Sequence, residues 1–399
     1  MIRLRPTTRD YDWGSRTALP ELLGVPGDGR PVAEAWFGAH PAAPATVQTA
    51  PGTWRSLAEL VAEDPTGAMG ADVVARFGAS LPYLLKLIAA QHPLSLQVHP
   101  DRDQARAGFA AEEAAGVPRT AAHRVYPDAN HKPELLYALT TFEAMAGFRA
   151  PRRAAELLAD LDTPLVRRLR DILMARPDAE GMQRAFSLLL DSATRPTGEE
   201  VREVAEACRA RLVVGSPSPR ADGTVVRLAA EYPGDPGVVT SLLLNPVTLQ
   251  PGEALFVPAG AVHTYQSGTG VELMANSDNV LRAGLTGKHV DIPKLLATVD
   301  CVAAPPIRIA PEVFHGATRI FYAPVDDFEL SVTEVSDGAE HPLPGRGPRV
   351  LLCLRGEVTV HGAEDGSVTL SRGQAAFAPA SDGTLSVDGD GTLVQADVP

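Results

Sequence analysis

Residues 251–282 carry side chains that can do chemistry, at a spacing that suits a turn between two strands. The first half follows the pattern G-x5-P-x-G-x2-H, filled by Gly252, Pro258, Gly260 and His263. A short apolar segment before the proline suits a buried strand, and Pro258 and Gly260 then predict a tight turn. Such a turn can aim the imidazole of His263 into the interior of a small barrel, where a neutral ring nitrogen is a good ligand for a zinc-like metal.

A carboxylate and a guanidinium follow His263 in the same stretch. Residues 272–274 predict a further strand that begins with Glu272, and a polar turn over residues 276–279 leads to Arg282. We therefore expect His263, Glu272 and Arg282 on consecutive strands of one hairpin-like unit. A carboxylate can transfer protons, and a guanidinium can stabilise developing negative charge.

Upstream, residues 94–99 alternate between apolar and polar side chains. A strand with this pattern places Ser95, Gln97 and His99 on one face and three apolar side chains on the other. The polar face is then either half-exposed or lines a polar cavity. The Gln-x-His spacing puts both side chains on the same side, as a chelate within one strand requires.

A third segment, residues 126–148, joins a polar turn to a strand that begins with a carboxylate. Pro133 cannot donate a ladder hydrogen bond, so we expect Glu134 to be the first residue of the strand. Lys132 lies two residues earlier and is one of only four lysines among 36 Lys and Arg residues. A lysine kept in such a sequence suggests a position that needs a compact ammonium, and Lys288 is a second example.

Four candidate metal ligands therefore stand on three β regions. Two imidazoles, one carboxylate and one amide oxygen suit a divalent zinc that keeps room for a substrate oxygen. Each residue alone would more often be structural, but together they interrupt apolar strands at polar positions. The candidates are Gln97, His99, Glu134 and His263.

Composition excludes several other classes of protein. A chain of 399 residues with a formal net charge of −13 argues against nucleic-acid binding, which requires a basic face. No apolar run approaches the ~18 residues of a membrane span. The cysteines, Cys208, Cys301 and Cys353, are far apart without a C-x-x-C pair. We therefore expect a cytoplasmic protein without a disulfide framework.

The hydrophobic periodicity divides the chain into β-rich and helical parts. Residues 1–150 predict mostly short strands, residues 151–214 repeat leucines at helical spacing, and the β pattern is expected to resume near Thr224. From residue 311 to the end, short strands with Gly and Pro turns are predicted. Residues 373–379 repeat the G-x5-P spacing, but no histidine stands at the position equivalent to His263, so this copy cannot bind a metal in the same way.

These motifs resemble a known family. G-x5-P-x-G-x2-H is the second motif of cupins, although Ser267 stands where those proteins have an asparagine. The segments LSLQVHPD, NHKPELLYAL and MANSDNVLRAGLTGKHVD are similar to type I mannose-6-phosphate isomerases, as are YDWGS at residues 11–15 and EAWFGAHP at residues 34–41. The resemblance spans most of residues 1–300.

The resemblance implies a mainly β fold with a helical insertion. It consists of two cupin-type (jelly-roll) β-barrel domains, the second degenerate, plus an all-α domain. The expected division is a catalytic cupin domain from residues 1–150 with 215–310, a helical insertion at 151–214 and a degenerate cupin-like domain at 311–399. We expect a monomer.

The resemblance also implies an activity and roles for residues. The family interconverts mannose 6-phosphate and fructose 6-phosphate through a cis-enediol, with one Zn²⁺ per chain held by the four candidate ligands and with Arg282 as the catalytic arginine. Glu272 is our candidate for the proton shuttle, and Lys132 is the competing or assisting group. Weaker candidates for contacts to the phosphate or the sugar ring are Ser95, His131 and Lys288.

Two alternatives remain open at this point. Cupins with two histidines and a carboxylate can bind Fe(II) and activate oxygen, a class that Gln97, Arg282 and Lys288 disfavour. A sugar-binding or storage protein would bind the sugar phosphate without turning it over. The sequence leaves open the identity of the base, the breadth of substrates and the role of the C-terminal part.

Overall fold

The computed structural model describes residues 1–336, 338–363 and 366–399. Its strands are β1 Ile2–Arg5, β2 Thr7–Arg9, β3 Glu34–Phe37, β4 Thr46–Ala50, β5 Thr53–Ser56, β6 Tyr83–Ala90, β7 Leu96–Val98, β8 Glu134–Ala138, β9 Phe142–Phe148, β10 Leu244–Leu249, β11 Ala254–Val257, β12 His263–Ala275, β13 Leu281–Gly284, β14 Ile307–Ile309, β15 Glu312–Phe314, β16 Thr318–Phe321, β17 Glu329–Val335, β18 His341–Pro342, β19 Arg349–Gly362, β20 Ser367–Ser371, β21 Ala375–Ala378 and β22 Leu385–Asp397. Its helices are α1 Ala18–Leu23, α2 Leu57–Glu63, α3 Pro65–Met69, α4 Ala71–Phe77, α5 Arg102–Ala114, α6 Pro151–Leu157, α7 Pro164–Ala175, α8 Ala179–Leu190, α9 Gly198–Val214, α10 Pro219–Glu231, α11 Gly237–Thr240 and α12 Ile292–Thr298.

The long strand β12 organises the first sheet, which runs in the order β14-β11-β8-β12-β6-β3-β2. Its second half pairs antiparallel with β6 and β8. Its first half pairs with β7 and β9. Because all four neighbours hydrogen-bond to one strand, the side chains of the predicted site are carried by adjacent parts of one sheet.

His263 and Glu272 lie on the same continuous strand, so the prediction of two consecutive strands for them is wrong. The residues between them include Gly268 and Gly270, which suggested a break. Instead, a Cβ at Gly268, whose φ is +126°, would lie 2.6 Å from the ring of Phe142, and one at Gly270 would meet a backbone carbonyl at 2.8 Å. Glycine is needed here for close approach of neighbouring strands rather than to end β12.

The helical part extends beyond the predicted residue 214. Helices α6 to α9 confirm the leucine periodicity, since residues such as Leu165, Leu169 and Phe186 are buried. The expected return of a β pattern near Thr224 is wrong, because this residue lies within α10. Its β-branched neighbours favour a strand locally, but Pro219 starts a helix that buries Val225 on one face, and tertiary packing overrides the local propensity.

The second sheet runs in the order β15-β16-β17-β22-β19-β21-β1-β4-β5. The C-terminal residues are β-rich as predicted, and the repeated segment forms β21. The N-terminal strand β1 also joins this sheet by pairing with β21. Residues 2–5 therefore connect to the C-terminal strands, whereas the proposed division into domains assigned them to the catalytic unit. The division itself stays a prediction.

The two sheets share one apolar cluster, to which β6, β8, β12, β17, β19 and β22 all contribute. Within it, the fully buried Tyr83 of β6 donates its hydroxyl toward the carbonyl oxygens of Pro348 and Ala396, at 2.8 and 2.9 Å. Other apolar side chains of the first sheet, including Val98 and Phe148, pack against the helices. In the part of the chain that the structure describes, no helix combines the length and the apolar character that a bilayer crossing requires.

Candidate active site

Three predicted ligands meet at the ends of three strands. Glu134 is the first residue of β8, as Pro133 predicted, His263 is the first residue of β12, and His99 directly follows β7. Their ligand atoms all lie within 4.8 Å of one another. Glu134 lies between the two rings, with Oε1 at 3.1 Å from Nε2 of His99 and Oε2 at 3.4 Å from Nε2 of His263. All three side chains are buried.

The outer nitrogens of both imidazoles are engaged by backbone carbonyls. His99 Nδ1 lies 2.8 Å from the oxygen of Asn279, and His263 Nδ1 lies 3.0 Å from the oxygen of Ala261. Each contact favours a proton on Nδ1 and turns the lone pair of Nε2 inward. This arrangement fixes the ring orientation in the manner of outer-shell partners of metal-bound histidines.

The electrostatics of the cluster favour a neutral His99 ring and an ionised Glu134 carboxylate. Burial and the charge of Lys132 lower the pKa of His99 to about 4. Burial raises the pKa of Glu134, but the effects of His99, Lys132 and His263 outweigh it, so this pKa is well below its usual value. Metal binding requires the same protonation states.

The residues fit a divalent metal ion. Within the described residues, the buried Nε2 of His99 has no hydrogen-bond partner of acceptable geometry, although it lies close to Glu134. Buried polar atoms without a partner are uncommon, and one that faces a carboxylate and a second imidazole is explained by an ion among them. Two imidazole nitrogens and a carboxylate are ligands that zinc accepts.

Gln97 and Lys132 flank this cluster and line one small cavity with Glu134 and His263. The backbone of Gln97 is the β7 partner of His263, and its side-chain amide donates to Ser95 Oγ at 3.3 Å. Lys132 Nζ lies 3.4 Å from Oε1 of Glu134. The alternation predicted for residues 94–99 is confirmed, because Ser95 and Gln97 are less buried than their apolar neighbours. Ligation by Gln97 stays a prediction.

Glu272 lies on the wall of the same cavity, but its carboxylate is paired. Oε2 accepts a hydrogen bond from Nζ of Lys86 at 2.9 Å, and Lys86 Nζ also lies 3.9 Å from Glu34 Oε1. Burial raises the pKa of Glu272, and Lys86 offsets only part of this effect. Burial lowers the pKa of Lys86, but the carboxylates of Glu272, Glu34 and Glu134 raise it more, so Lys86 is a charged ammonium.

Arg282 and Lys288 lie together near Tyr11. Arg282 of β13 pairs with Gln97 of β7, so the backbone of Arg282 lies beside the strand that carries Gln97 and leads to His99. Burial lowers the pKa of Arg282, and burial together with Arg282 lowers the pKa of Lys288. Lys288 Nζ lies 5.8 Å from the centre of the Tyr11 ring. Among the described residues, no carboxylate forms an ion pair with Arg282 or Lys288, so the two cations are available to an anion.

His131 lies apart from the other predicted residues. Its Nε2 is 2.9 Å from Oδ2 of Asp327 and 2.7 Å from Nη2 of Arg102. The side chain therefore faces the C-terminal part of the chain rather than the cavity that Lys132 lines.

Comparison with known proteins places this site in a family. Residues 1–151 match the family model for phosphomannose isomerase type I, catalytic domain. The chain is 39% identical over 400 residues to mannose-6-phosphate isomerase of Escherichia coli (strain K12), covering 99% of both proteins. It is 30% identical to mannose-6-phosphate isomerase 1 of Arabidopsis thaliana, over 95% of this chain and 89% of the relative. The chain belongs to the type I mannose-6-phosphate isomerase family.

Solved structures of this family superpose on nearly the whole chain. A zinc-bound mannose 6-phosphate isomerase matches with a TM-score of 0.89 and 37% identity, covering 100% of this chain and 99% of that one. A Salmonella typhimurium mannose 6-phosphate isomerase bound to fructose 6-phosphate and zinc matches with the same values. The resemblance inferred from the motifs is thereby confirmed over the full length.

Sequence reasoning missed three side chains that line the cavity of this family member. Lys86 is an isolated charge inside the apolar strand β6, and this isolation was the available signal. Tyr265, two residues after His263 on the same face of β12, donates to Glu134 Oε2 at 3.1 Å, and strand alternation could have identified it. Glu34 accepts a hydrogen bond from Trp36 Nε1 at 2.8 Å, and strand alternation, which places these two residues of β3 on one face, was the available signal.

Proposed function

We propose that this protein is a zinc-dependent mannose-6-phosphate isomerase. The observation that carries the proposal is the buried cluster of His99, Glu134 and His263, which adjoins a cavity lined by Lys132 and Glu272. The zinc-bound relatives and the relative bound to fructose 6-phosphate support the same metal and substrate. The reaction interconverts mannose 6-phosphate and fructose 6-phosphate.

The chemistry moves one proton from C2 to C1 and a second proton from O2 to O1. A base removes the proton from C2 of the aldose, a cis-enediol forms, and the proton returns at C1 of the ketose. A bound zinc supplies a Lewis acid that polarises the sugar oxygens. His99, Glu134 and His263 would hold it, and Gln97 is the proposed fourth ligand. No water is consumed, so the burial of the site serves to exclude solvent from a reactive intermediate.

Two side chains are positioned to move the proton. Glu272 is our first candidate, because burial raises its pKa toward the range in which a carboxyl both accepts and releases protons. Because the carboxylate of Glu272 is hydrogen-bonded to Lys86, Glu272 must give up this hydrogen bond to contact the substrate. Lys132 is the second candidate, because its ammonium already lies beside a ligand carboxylate.

The phosphate is assigned to the cationic side of the site. Burial lowers the pKa of Arg282, and burial together with the charge of Arg282 lowers the pKa of Lys288, an effect that an anionic phosphate would relieve. Arg282 is also the proposed stabiliser of negative charge on the enediol oxygens. Ser95 is retained as a contact to the sugar, since its hydroxyl adjoins Gln97. His131 is retained only as a weaker candidate because it faces Asp327.

We further propose that the strands form two cupin barrels, with the catalytic one carrying the helical insertion. The similarity of β11 and β21, each following a glycine and ending before a proline, supports a duplicated unit. The second unit is degenerate because Thr384, and not a histidine, occupies the position equivalent to His263. A monomer acting in the cytoplasm remains the expectation.

A coupled assay tests the function directly. Fructose 6-phosphate formed from mannose 6-phosphate is measured on metal-stripped protein before and after zinc is added, with His263→Ala as the control. The proposal is supported if zinc restores turnover in the unsubstituted chain but not in His263→Ala. Iron-dependent oxygen uptake would instead favour the oxygenase class, and binding of the sugar phosphate without turnover would favour a binding protein. Either result would overturn the proposal.

A further inference from the structure

A carboxylate from the C-terminal part of the chain reaches the segment that carries Lys132 and Glu134. Asp327 is 1% exposed, and Oδ1 accepts a hydrogen bond from Nη2 of Arg102 at 3.0 Å. Oδ2 lies 2.9 Å from Nε2 of His131. Nη2 of Arg102 and Nε2 of His131 are themselves within hydrogen-bond distance, at 2.7 Å, so the three side chains form one cluster.

The loop that presents Asp327 is fixed from its other side. Arg76 at the end of α4 donates to the carbonyl oxygen of Asp326 at 3.0 Å and to that of Pro399 at 3.1 Å. The next residue, Phe328, is fully buried in the cluster shared by both sheets. Asp327 is therefore a rigidly placed group and not an end of a mobile loop.

The segment from residue 128 to residue 134 is held by contacts along its length. Near its first end, Asn279 Nδ2 donates a hydrogen bond to the carbonyl oxygen of Asn130 at 2.6 Å. The carbonyl oxygen of Asn279 in turn accepts a hydrogen bond from Nδ1 of His99. Asp327 supplies a further anchor at His131. On the other side of Lys132, the N–H of Ala275 donates to the carbonyl oxygen of Pro133 at 3.2 Å, and Glu134 is fixed by the pairing of β8 with β11. Lys132 therefore lies between two held residues, just before the strand begins.

We propose that Asp327 is a positioning residue for Lys132. It orients His131, and through the backbone of the neighbouring residue it sets where the ammonium lies relative to Glu134. Under this proposal the C-terminal part contributes directly to the geometry of a metal site that it does not line. The inference rests on the proposed function, because it assumes that the position of Lys132 matters for turnover.

The test compares Asp327→Asn with a control that weakens a different contact between the two sheets. Tyr83→Phe removes the hydroxyl that Pro348 and Ala396 share, away from the metal cluster. For the zinc-loaded chains we measure kcat and KM for mannose 6-phosphate, zinc affinity by chelator competition, and the thermal unfolding midpoint. All kinetics are run well below the midpoint of each variant.

We expect Asp327→Asn to lower kcat by about tenfold, as loss of an outer-shell partner typically does, with zinc affinity changed less than about threefold. Tyr83→Phe should lower the unfolding midpoint without lowering kcat. Wild-type kcat in Asp327→Asn would overturn the proposal, and so would a loss of zinc affinity as large as the loss of kcat. A wild-type chain without any turnover would instead refute the proposed function.

A second variant covers the case in which Asp327→Asn does not fold. His131→Gln keeps a side chain of similar reach but cannot reproduce the imidazole contact to Asp327. We expect the same fall in kcat with an unchanged KM. A raised KM with an unchanged kcat would identify His131 as a substrate contact and would contradict its role as a link to Lys132.

Discussion

At the scale of single residues, the chemistry follows from which groups are already paired. The metal-ligand nitrogens face inward because carbonyl oxygens occupy the opposite ring nitrogens of His99 and His263. Glu272 and Lys132 lie on one cavity, but the first is bonded to Lys86 and the second lies beside Glu134. Position alone does not decide which of them transfers the proton.

Substitution of the two candidate bases decides between them. We expect Glu272→Gln to lower kcat by about 10²-fold or more, because the amide cannot accept the proton from carbon. Lys132→Ala should cost less, since its ammonium assists without taking the proton. The measurement is kcat for zinc-loaded protein, with Glu143→Gln, a half-buried residue outside the cavity, as the control. Near-wild-type turnover in Glu272→Gln, together with its loss in Lys132→Ala, would reverse the assignment.

At the scale of elements, β12 determines the site, because one strand carries His263 and Glu272 and pairs with the strands of all other ligands. Its continuity depends on glycines at close approaches of neighbouring backbones.

The second sheet contains a different kind of constraint, a buried pair of acids on adjacent strands, Glu329 of β17 and Asp397 of β22.

Substitution of Gly268 tests the continuity of β12. Gly268→Ala should lower the free energy of unfolding by at least about 2 kcal/mol, because the new methyl group would meet Phe142 at 2.6 Å and φ is +126°. Gly223→Ala is the matched control, since nothing lies within 4 Å in helix α10 and a gain of about 0.5 kcal/mol is expected. Urea unfolding measures both. Equal stabilities for the two variants would refute this account.

The acid pair predicts a pH dependence of stability. Burial raises the pKa of Glu329, while burial and the charge of Glu329 raise that of Asp397 well above its usual value. Groups with a raised folded-state pKa contribute stability that is fully present below about pH 4 and is lost as pH rises through the folded-state pKa. At neutral pH the pair therefore opposes folding.

Removing one of these acids should stabilise the protein at neutral pH. We expect Glu329→Gln to raise the free energy of unfolding by about 1 kcal/mol at pH 7 and to bring little gain near pH 4. Glu334→Gln on the same strand, an exposed residue paired with Arg319, is the control and should change stability little at either pH. A Glu329→Gln chain that is less stable than wild type at pH 7 would contradict the prediction.

At the scale of the whole molecule, the two sheets form a single folded unit around a shared apolar cluster. The N-terminal strand β1 pairs with β21 near the other end of the chain. Such long-range pairing couples the metal site to the stability of the complete fold. Binding of an ion to the native state alone should then stabilise all of it.

Zinc removal provides the test at this scale. An ion present at 1,000 times its dissociation constant stabilises the native state by about 4 kcal/mol, so we expect zinc to raise the unfolding midpoint by roughly 5 °C or more. His263→Ala should show almost no such shift at the same zinc concentration. A shift of equal size in both chains would mean that zinc binds elsewhere.

The sequence by itself determined the family and predicted the three side chains that the structure brings together in one buried cluster. His99, Glu134 and His263 stood at positions where strand alternation, a proline and a turn motif fix which way a side chain points, and such local rules need no tertiary information. The helical periodicity after residue 150 was predicted for the same reason. Local propensity failed near Thr224, where burial of one helix face outweighed the β-branched residues.

Only the tertiary structure decided which distant groups pair. Lys86 and Glu272 are 186 residues apart, and His131 and Asp327 are 196 apart. The pairing of β1 with β21 and the continuity of β12 through its glycines also depend on neighbours that are far away in the sequence. Periodicity encodes the direction of a side chain but not its long-range partner, because the partner is set by how complete sheets pack together.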